Sequence, residues 1–179
     1  MIERHSENVQ SNDLQDRAIL RVIAFILQEA TKEGNLLTSP NLQLTRFHTL
    51  SPPCFSILNY LEHLKKRSLC NINCFVVALI YLDRLIKDNT SIQITSNTVH
   101  KLFLASIITA VKFHTDIALN NSAWASIGGI HVEELDILEK EFLFLIKFSL
   151  VVSRDEFLEY SQELKHKATF KAFLNPSVC

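Results

Sequence analysis

Lys112 makes the clearest chemical demand in this chain. It is the only charged residue between Leu102 and Phe113, in a stretch otherwise built from apolar and small hydroxylated side chains. An unpaired ammonium in such surroundings is costly, so its head must reach water, an acid or a row of carbonyls. The other reactive side chains form no catalytic constellation. Cys54, Cys70, Cys74 and Cys179 contain no double pair at metal-site spacing, and Cys74 lies in an apolar run where a thiol behaves as a small hydrophobe. The three glycines, Gly34, Gly128 and Gly129, are too few for a phosphate-cradling loop, which excludes nucleotide binding by this chain. No serine is framed by glycines as in a nucleophile elbow, and the seven histidines place no metal-binding pair on one helix face. The expectation is a protein that is not an enzyme and needs no cofactor or resident metal.

Size and composition leave room for one packed unit. A chain of 179 residues with 47% hydrophobic side chains can bury a core, so disorder over most of its length is excluded. A formal charge of -1 supplies no global field for nucleic acid or anionic lipid. The longest purely apolar run, residues 74–82, is too short to span a bilayer, and the first residues are charged and polar. A soluble protein of the cytoplasm, the nucleus or both is expected.

The elements that must position Lys112 read as helices throughout. After a polar segment over residues 1–12, expected to fray, residues 14–30 place Ile19, Val22, Ile23, Ile26 and Leu27 on one side, with Gly34 as a stop. A Thr-, Ser- and Asn-rich loop over 32–51 carries Leu42, Leu44 and Phe47 and is expected to lie along the core. Ser51, Pro52 and Pro53 read as the start of a helix reaching Lys66. Asn71 or Asn73 caps a helix over 74–87, and Thr95 or Ser96 opens the helix that carries Lys112. Both are apolar all round, which requires burial on several sides. A short segment over 121–127 breaks at Gly128 and Gly129, and a helix over 132–148 follows with Glu133 and Glu134 at its positive end. Its core stripe is Leu135, Leu138, Phe142 and Leu145, its flank carries Glu139 and Leu143, and Ile137, Phe144 and Phe148 project away. Ser153 and Glu156 have capping-box spacing before a last helix. Only residues 91–95 alternate weakly like a strand, so the fold class is all-α.

This order of helices resembles the cyclin box, and more narrowly the P/U-type cyclins of the phosphate-regulon class. The resemblance rests on CFVVALIYLDRLI at 74–86, VHKLFLASIITAVKF at 99–113, NNSAWASIGGI at 120–130 and LEKEFLFLIKFSL at 138–150. It implies a single five-helix box over 52–150 with its third helix at the centre, preceded by an N-terminal helix and connecting loop over 1–51 and followed by a helical extension over 151–179. About 29 residues after Leu150 are too few for a second box.

The resemblance also implies a partner, a cyclin-dependent kinase, and an activating role in cell-cycle or phosphate signalling. In the family, a lysine near the end of the third box helix and a glutamate in the fifth bind the backbone of a kinase helix; Lys112 and Glu139 match them. Phe113, Leu143, Phe148 and Leu150 match the apolar contacts around that pair. Taken without the surrounding motifs, Lys112 and Glu139 read more simply as an internal ion pair between two helices, and Phe113, Leu143 and Phe148 as core. Asp83 and Arg84 match the family's structural Asp-Arg. Arg17, Ala18, Ile19 and Leu20 spell part of a substrate-docking motif but precede the box, while Cys54 and Tyr60 stand where the docking arginine and tryptophan would fall, so that groove is not expected. The basic cluster of His63, Lys65, Lys66 and Arg67 suits a helix C-terminus, and Trp124 reads as a core anchor. The alternative reading is a cyclin-fold transcription adaptor binding peptide or nucleic acid. Its nucleic-acid branch usually has two boxes and a basic face, which this chain lacks, so no nucleic acid or membrane partner is expected.

Overall fold

The computed structural model describes residues 2–37, 44–89, 92–116 and 118–174, with side chains from residue 12 to 169 within those ranges. Among the described residues there are seven helices and no strand, in the order α1 (Ile2–Leu37), α2 (Ile57–Ser68), α3 (Ile72–Asp88), α4 (Val99–His114), α5 (Asn121–Gly128), α6 (Val132–Leu145) and α7 (Arg154–Leu174). The all-α expectation holds. Residues 92–95 form no strand; Ser91, Pro40, Leu42 and Cys179 lie outside the described residues.

Local chemistry sets most boundaries. Ser56, Asn71 and Asn120 each accept a backbone N–H from the first turn of α2, α3 and α5 at 3.2, 2.9 and 2.9 Å. Pro52 and Pro53 do not start α2, contrary to expectation: a proline disfavours helical backbone in the residue before it, and Ser56 takes the cap instead. α4 begins at Val99 because residues 95–98 are committed to a turn, with the Thr95 amide donating to Thr98 Oγ1 at 2.8 Å and the Ser96 amide to Asn35 Oδ1 at 3.0 Å. The Ser153 hydroxyl accepts from the Glu156 amide at 3.2 Å, but the Glu156 carboxylate turns to Arg84, so only half of the capping box forms.

α1 is longer than the expected 14–30 span in both directions. No proline or glycine interrupts residues 2–33, and the polar segment continues the same helix instead of fraying. Gly34 does not stop it either. A Cβ there would sit 2.1 Å from the Ile94 carbonyl oxygen, so this glycine permits the 92–95 segment to lie against α1.

The core sits around α4. Every residue from Leu102 to Val111 is buried, with α3 alongside, α6 on another side, and α2 and α1 closing the bundle. Ser106 Oγ donates to the Ala78 carbonyl at 2.6 Å, joining the two most apolar helices without leaving a hydroxyl unpaired. Trp124, Phe75, Phe103 and Phe142 fill the centre, so Trp124 is the core anchor expected. In the 44–56 segment Phe47 is fully buried, as expected for a loop lying along the core, whereas Leu44 is exposed.

α6 ends at Leu145, three residues before the expected Phe148. Lys147 and Phe148 instead adopt left-handed backbone, φ 52° and 55°. Side chains from α3 and the residue after it hold this turn. Asn89 Nδ2 donates to the Leu145 carbonyl at 3.1 Å, Arg84 to the Ser149 and Val151 carbonyls at 2.7 and 3.0 Å, and the Tyr81 hydroxyl to the Leu150 carbonyl at 2.7 Å. Asp83 and Arg84 are structural, as expected: Asp83 accepts from the Tyr160 hydroxyl and Arg84 pairs with Glu156 at 2.7 Å, which ties α7 to α3.

Candidate partner-binding site

Lys112 stands in the last turn of α4, where a cation complements the helix dipole, and Glu139 stands in the middle of α6. Their contact needs α4 and α6 to pack together, which the apolar stripe of Leu135, Leu138 and Phe142 secures. The ammonium donates to both carboxylate oxygens at 2.6 and 2.8 Å, and to Asn121 Oδ1 at 2.6 Å. A lysine has three N–H donors, so all of them are engaged. Asn121 Nδ2 in turn donates to Glu139 Oε2 at 2.9 Å and to Asp136 Oδ1 at 2.6 Å. The side chain of Lys112 is 34% exposed and that of Glu139 15%, so the pair lies at the protein surface with its carboxylate side sheltered.

Apolar residues follow both members of the pair along the chain. Phe113 is 48% exposed next to Lys112 and Phe148 is 56% exposed in the left-handed turn; Leu143 and Leu150 are half-buried. The structure therefore brings Lys112 and Glu139 into contact and leaves the two phenylalanines open to solvent, which excludes the core reading for Phe113 and Phe148. The rings do not stack on each other: Phe113 meets His114 edge-on at 5.0 Å, and Phe148 meets Phe144 edge-on at 5.4 Å. Phe144 and Ile137 project outward as the helical spacing implies.

Sequence reasoning missed two members of the polar group. Asn121 reads as part of an Asn-Asn helix start, and Asp136 as one of several surface acids; neither spacing reveals that α5 delivers a carboxamide between Lys112 and α6. Tyr81 and His114 were also missed. His114 Nε2 lies 3.0 Å from the Tyr81 hydroxyl beneath the Leu150 carbonyl, and burial holds the imidazole below its usual pKa. Burial pushes the Cys74 thiol up to about 11 and raises Cys70, consistent with inert reduced thiols.

The remaining features have structural partners. Lys65 pairs with Asp16 at 3.2 Å, and His63 Nε2 lies 3.1 Å from the Ile127 carbonyl, so half of the basic cluster is used internally. Ile19 and Leu20 are buried and Arg17 pairs with Asp13 at 3.2 Å, which removes residues 17–20 as a linear docking motif. A cavity of about 380 Å³ nevertheless opens beside Tyr60, lined by Pro53, His100, Lys101, Leu104 and Ile127, although the arginine and tryptophan of the family groove are absent. Among the described residues there is no cluster of metal-ligating groups, and no helix is long and apolar enough to cross a membrane.

A helical bundle packed around one central apolar helix, with an ion pair at its surface, is the class of protein that the fold defines. Comparison with known proteins gives its lineage. The sequence profile of the family described as Cyclin matches residues 4–150. The chain is 37% identical to Cyclin-U4-1 of Arabidopsis thaliana over 164 residues, covering 88% of this chain and 81% of that one. It is 39% identical to Cyclin-P4-1 of Oryza sativa subsp. japonica over 127 residues, covering 71% and 60% respectively. It is 31% identical to Cyclin-U4-2 of Arabidopsis thaliana, with 88% and 74% covered. The chain belongs to the cyclin family, as a member of P/U type. Membership of that family supports a regulatory role for the chain.

Proposed function

We propose that this chain is the activating subunit of a cyclin-dependent kinase, with Lys112 and Glu139 as the polar clamp for the backbone of a kinase helix. The observation that carries the reading is the Lys112–Glu139 pair at 2.6 Å, set at the surface where the next residue along the chain, Phe113, exposes its ring. Phe113, Leu143, Phe148 and Leu150 supply apolar contact area, and the pair fixes register on binding, the ammonium exchanging one internal acceptor for a backbone carbonyl and the carboxylate accepting from a backbone amide. Holding the kinase helix inward lets the kinase's own lysine and glutamate pair and position the ATP phosphates. The chemistry belongs to the partner. The proposed output is cell-cycle or phosphate signalling, in the cytoplasm, the nucleus or both.

The test is capture of partners from a cell extract on the immobilised chain, followed by a kinase assay and mass spectrometry of the bound fraction. A cyclin-dependent kinase with activity dependent on the chain is the expected result. Recovery of no kinase removes the reading, and salt-dependent capture of DNA in its place favours the adaptor alternative.

A further inference from the structure

Lys112 and two acids of α6, Asp136 and Glu139, meet at one side chain, Asn121. Asp136 and Glu139 lie three residues apart on the same face of α6, where two carboxylates repel each other and both attract a nearby ammonium. Only Glu139 receives it, at 2.6 and 2.8 Å. Asn121 reaches between the two: its carbonyl accepts from Lys112 at 2.6 Å, and its amide donates to Asp136 at 2.6 Å and to Glu139 at 2.9 Å. The amide's orientation follows from charge. Reversing it would aim N–H groups at the ammonium and a carbonyl at two carboxylates.

We propose that Asn121 is a positioning residue of the kinase clamp, one that holds Lys112 on Glu139 and keeps it off Asp136. This rests on the kinase-binding reading above. The carboxamide satisfies Asp136 with a donor that carries no net charge, which screens the two acids from each other and leaves the lysine's charge to Glu139. It also engages the third N–H of Lys112, so the ammonium is held from both sides and points the same way before a partner arrives. Without it, Lys112 is shared between two acids and the clamp loses its geometry. α5 therefore contributes to the site through its first residue, although none of the apolar contacts lies on it.

The test compares Asn121→Ala, Asp136→Asn and the double variant, each titrated with the kinase that the unaltered chain captures. Asn121→Ala is expected to weaken binding about tenfold, and Asn121→Ala with Asp136→Asn to recover most of that loss, since the competing acid has been neutralised. A residue that merely supports the fold would show no such recovery. Unchanged affinity in Asn121→Ala, or equal weakening in the single and double variants, overturns the proposal. Crystal structures of free Asn121→Ala decide it independently of any partner: Lys112 Nζ within hydrogen-bond distance of Asp136 supports it, and Lys112 still bonded to Glu139 alone overturns it. If no kinase binds the unaltered chain, the functional reading falls while this structural arm still decides the role of Asn121. Asn121→Leu, of nearly the same shape, replaces the alanine variant in every arm should that variant unfold.

Discussion

The ion pair of Lys112 and Glu139 is satisfied within the free chain, so contact alone does not separate an internal strut from a partner clamp. Polarity does. Exchanging the charges, Lys112→Glu with Glu139→Lys, preserves an attractive pair but reverses what it offers a bound backbone. The exchanged protein is expected to keep its helical circular dichroism and thermal midpoint to within a few degrees while kinase affinity falls at least tenfold, about 1.4 kcal/mol. Full retention of binding would assign the pair to the fold alone. Histidine gives a second prediction at this scale. Burial lowers the pKa of both His100 and His114 from 6.5, so the folded state favours the neutral rings. The unfolded chain binds more protons as the pH falls below 6.5, and stability present above that value is lost toward the lower folded pKa. Thermal melts between pH 7.5 and 5 should show a falling midpoint, and the fall should lessen in His114→Gln.

At the scale of elements, two joints carry the geometry. Gly34 lets α1 pass the backbone of Ile94, and an added methyl group would lie 2.1 Å from a carbonyl oxygen that cannot rotate away. Gly34→Ala is therefore expected to destabilise the fold by about 1–3 kcal/mol, the usual cost of overpacking, measured by denaturant unfolding. The other joint is the end of α6, where Lys147 and Phe148 hold left-handed backbone at φ 52° and 55°. Left-handed backbone costs a residue bearing a Cβ roughly 1–2 kcal/mol, and the donors from Tyr81, Arg84 and Asn89 offset this by fixing the carbonyls around the turn. Lys147→Gly should stabilise the protein by about 0.5–1 kcal/mol after the loss of chain entropy, with kinase binding unchanged. A loss of stability would show that the strain is not where the backbone places it. Neither joint was legible in sequence. Gly34 has the composition of a helix stop, and helical periodicity runs through residues 146–148 without a break; only the neighbouring α3 captures the chain there.

The whole molecule links α7 to the turn after α6 through α3. Glu156 pairs with Arg84, Tyr160 donates to Asp83, and Leu164 is buried, while Arg84 also holds the carbonyls on either side of Leu150. Truncation after residue 152 is expected to lower the thermal midpoint and weaken kinase binding together, whereas Leu164→Ala should cost about 2–5 kcal/mol of stability and leave binding by the folded fraction intact. Equal kinase affinity in the truncated chain would detach α7 from the site. Glu139 was implied as the partner of Lys112 only by the resemblance to the cyclin box; the sequence by itself determined the helical class, the apolar pair α3 and α4, the core stripe of α6 and the charge of Lys112 that needs a partner. These follow from periodicity, capping residues and the conspicuous expense of one charge in an apolar helix, all of which are local. Tertiary structure decided that Phe113 and Phe148 face solvent, that α6 stops before Phe148, and that Asn121 and Asp136 join the charged pair. Those outcomes depend on which helices meet, and residues 9 to 72 positions apart acquire hydrogen-bond partners only after the core has packed.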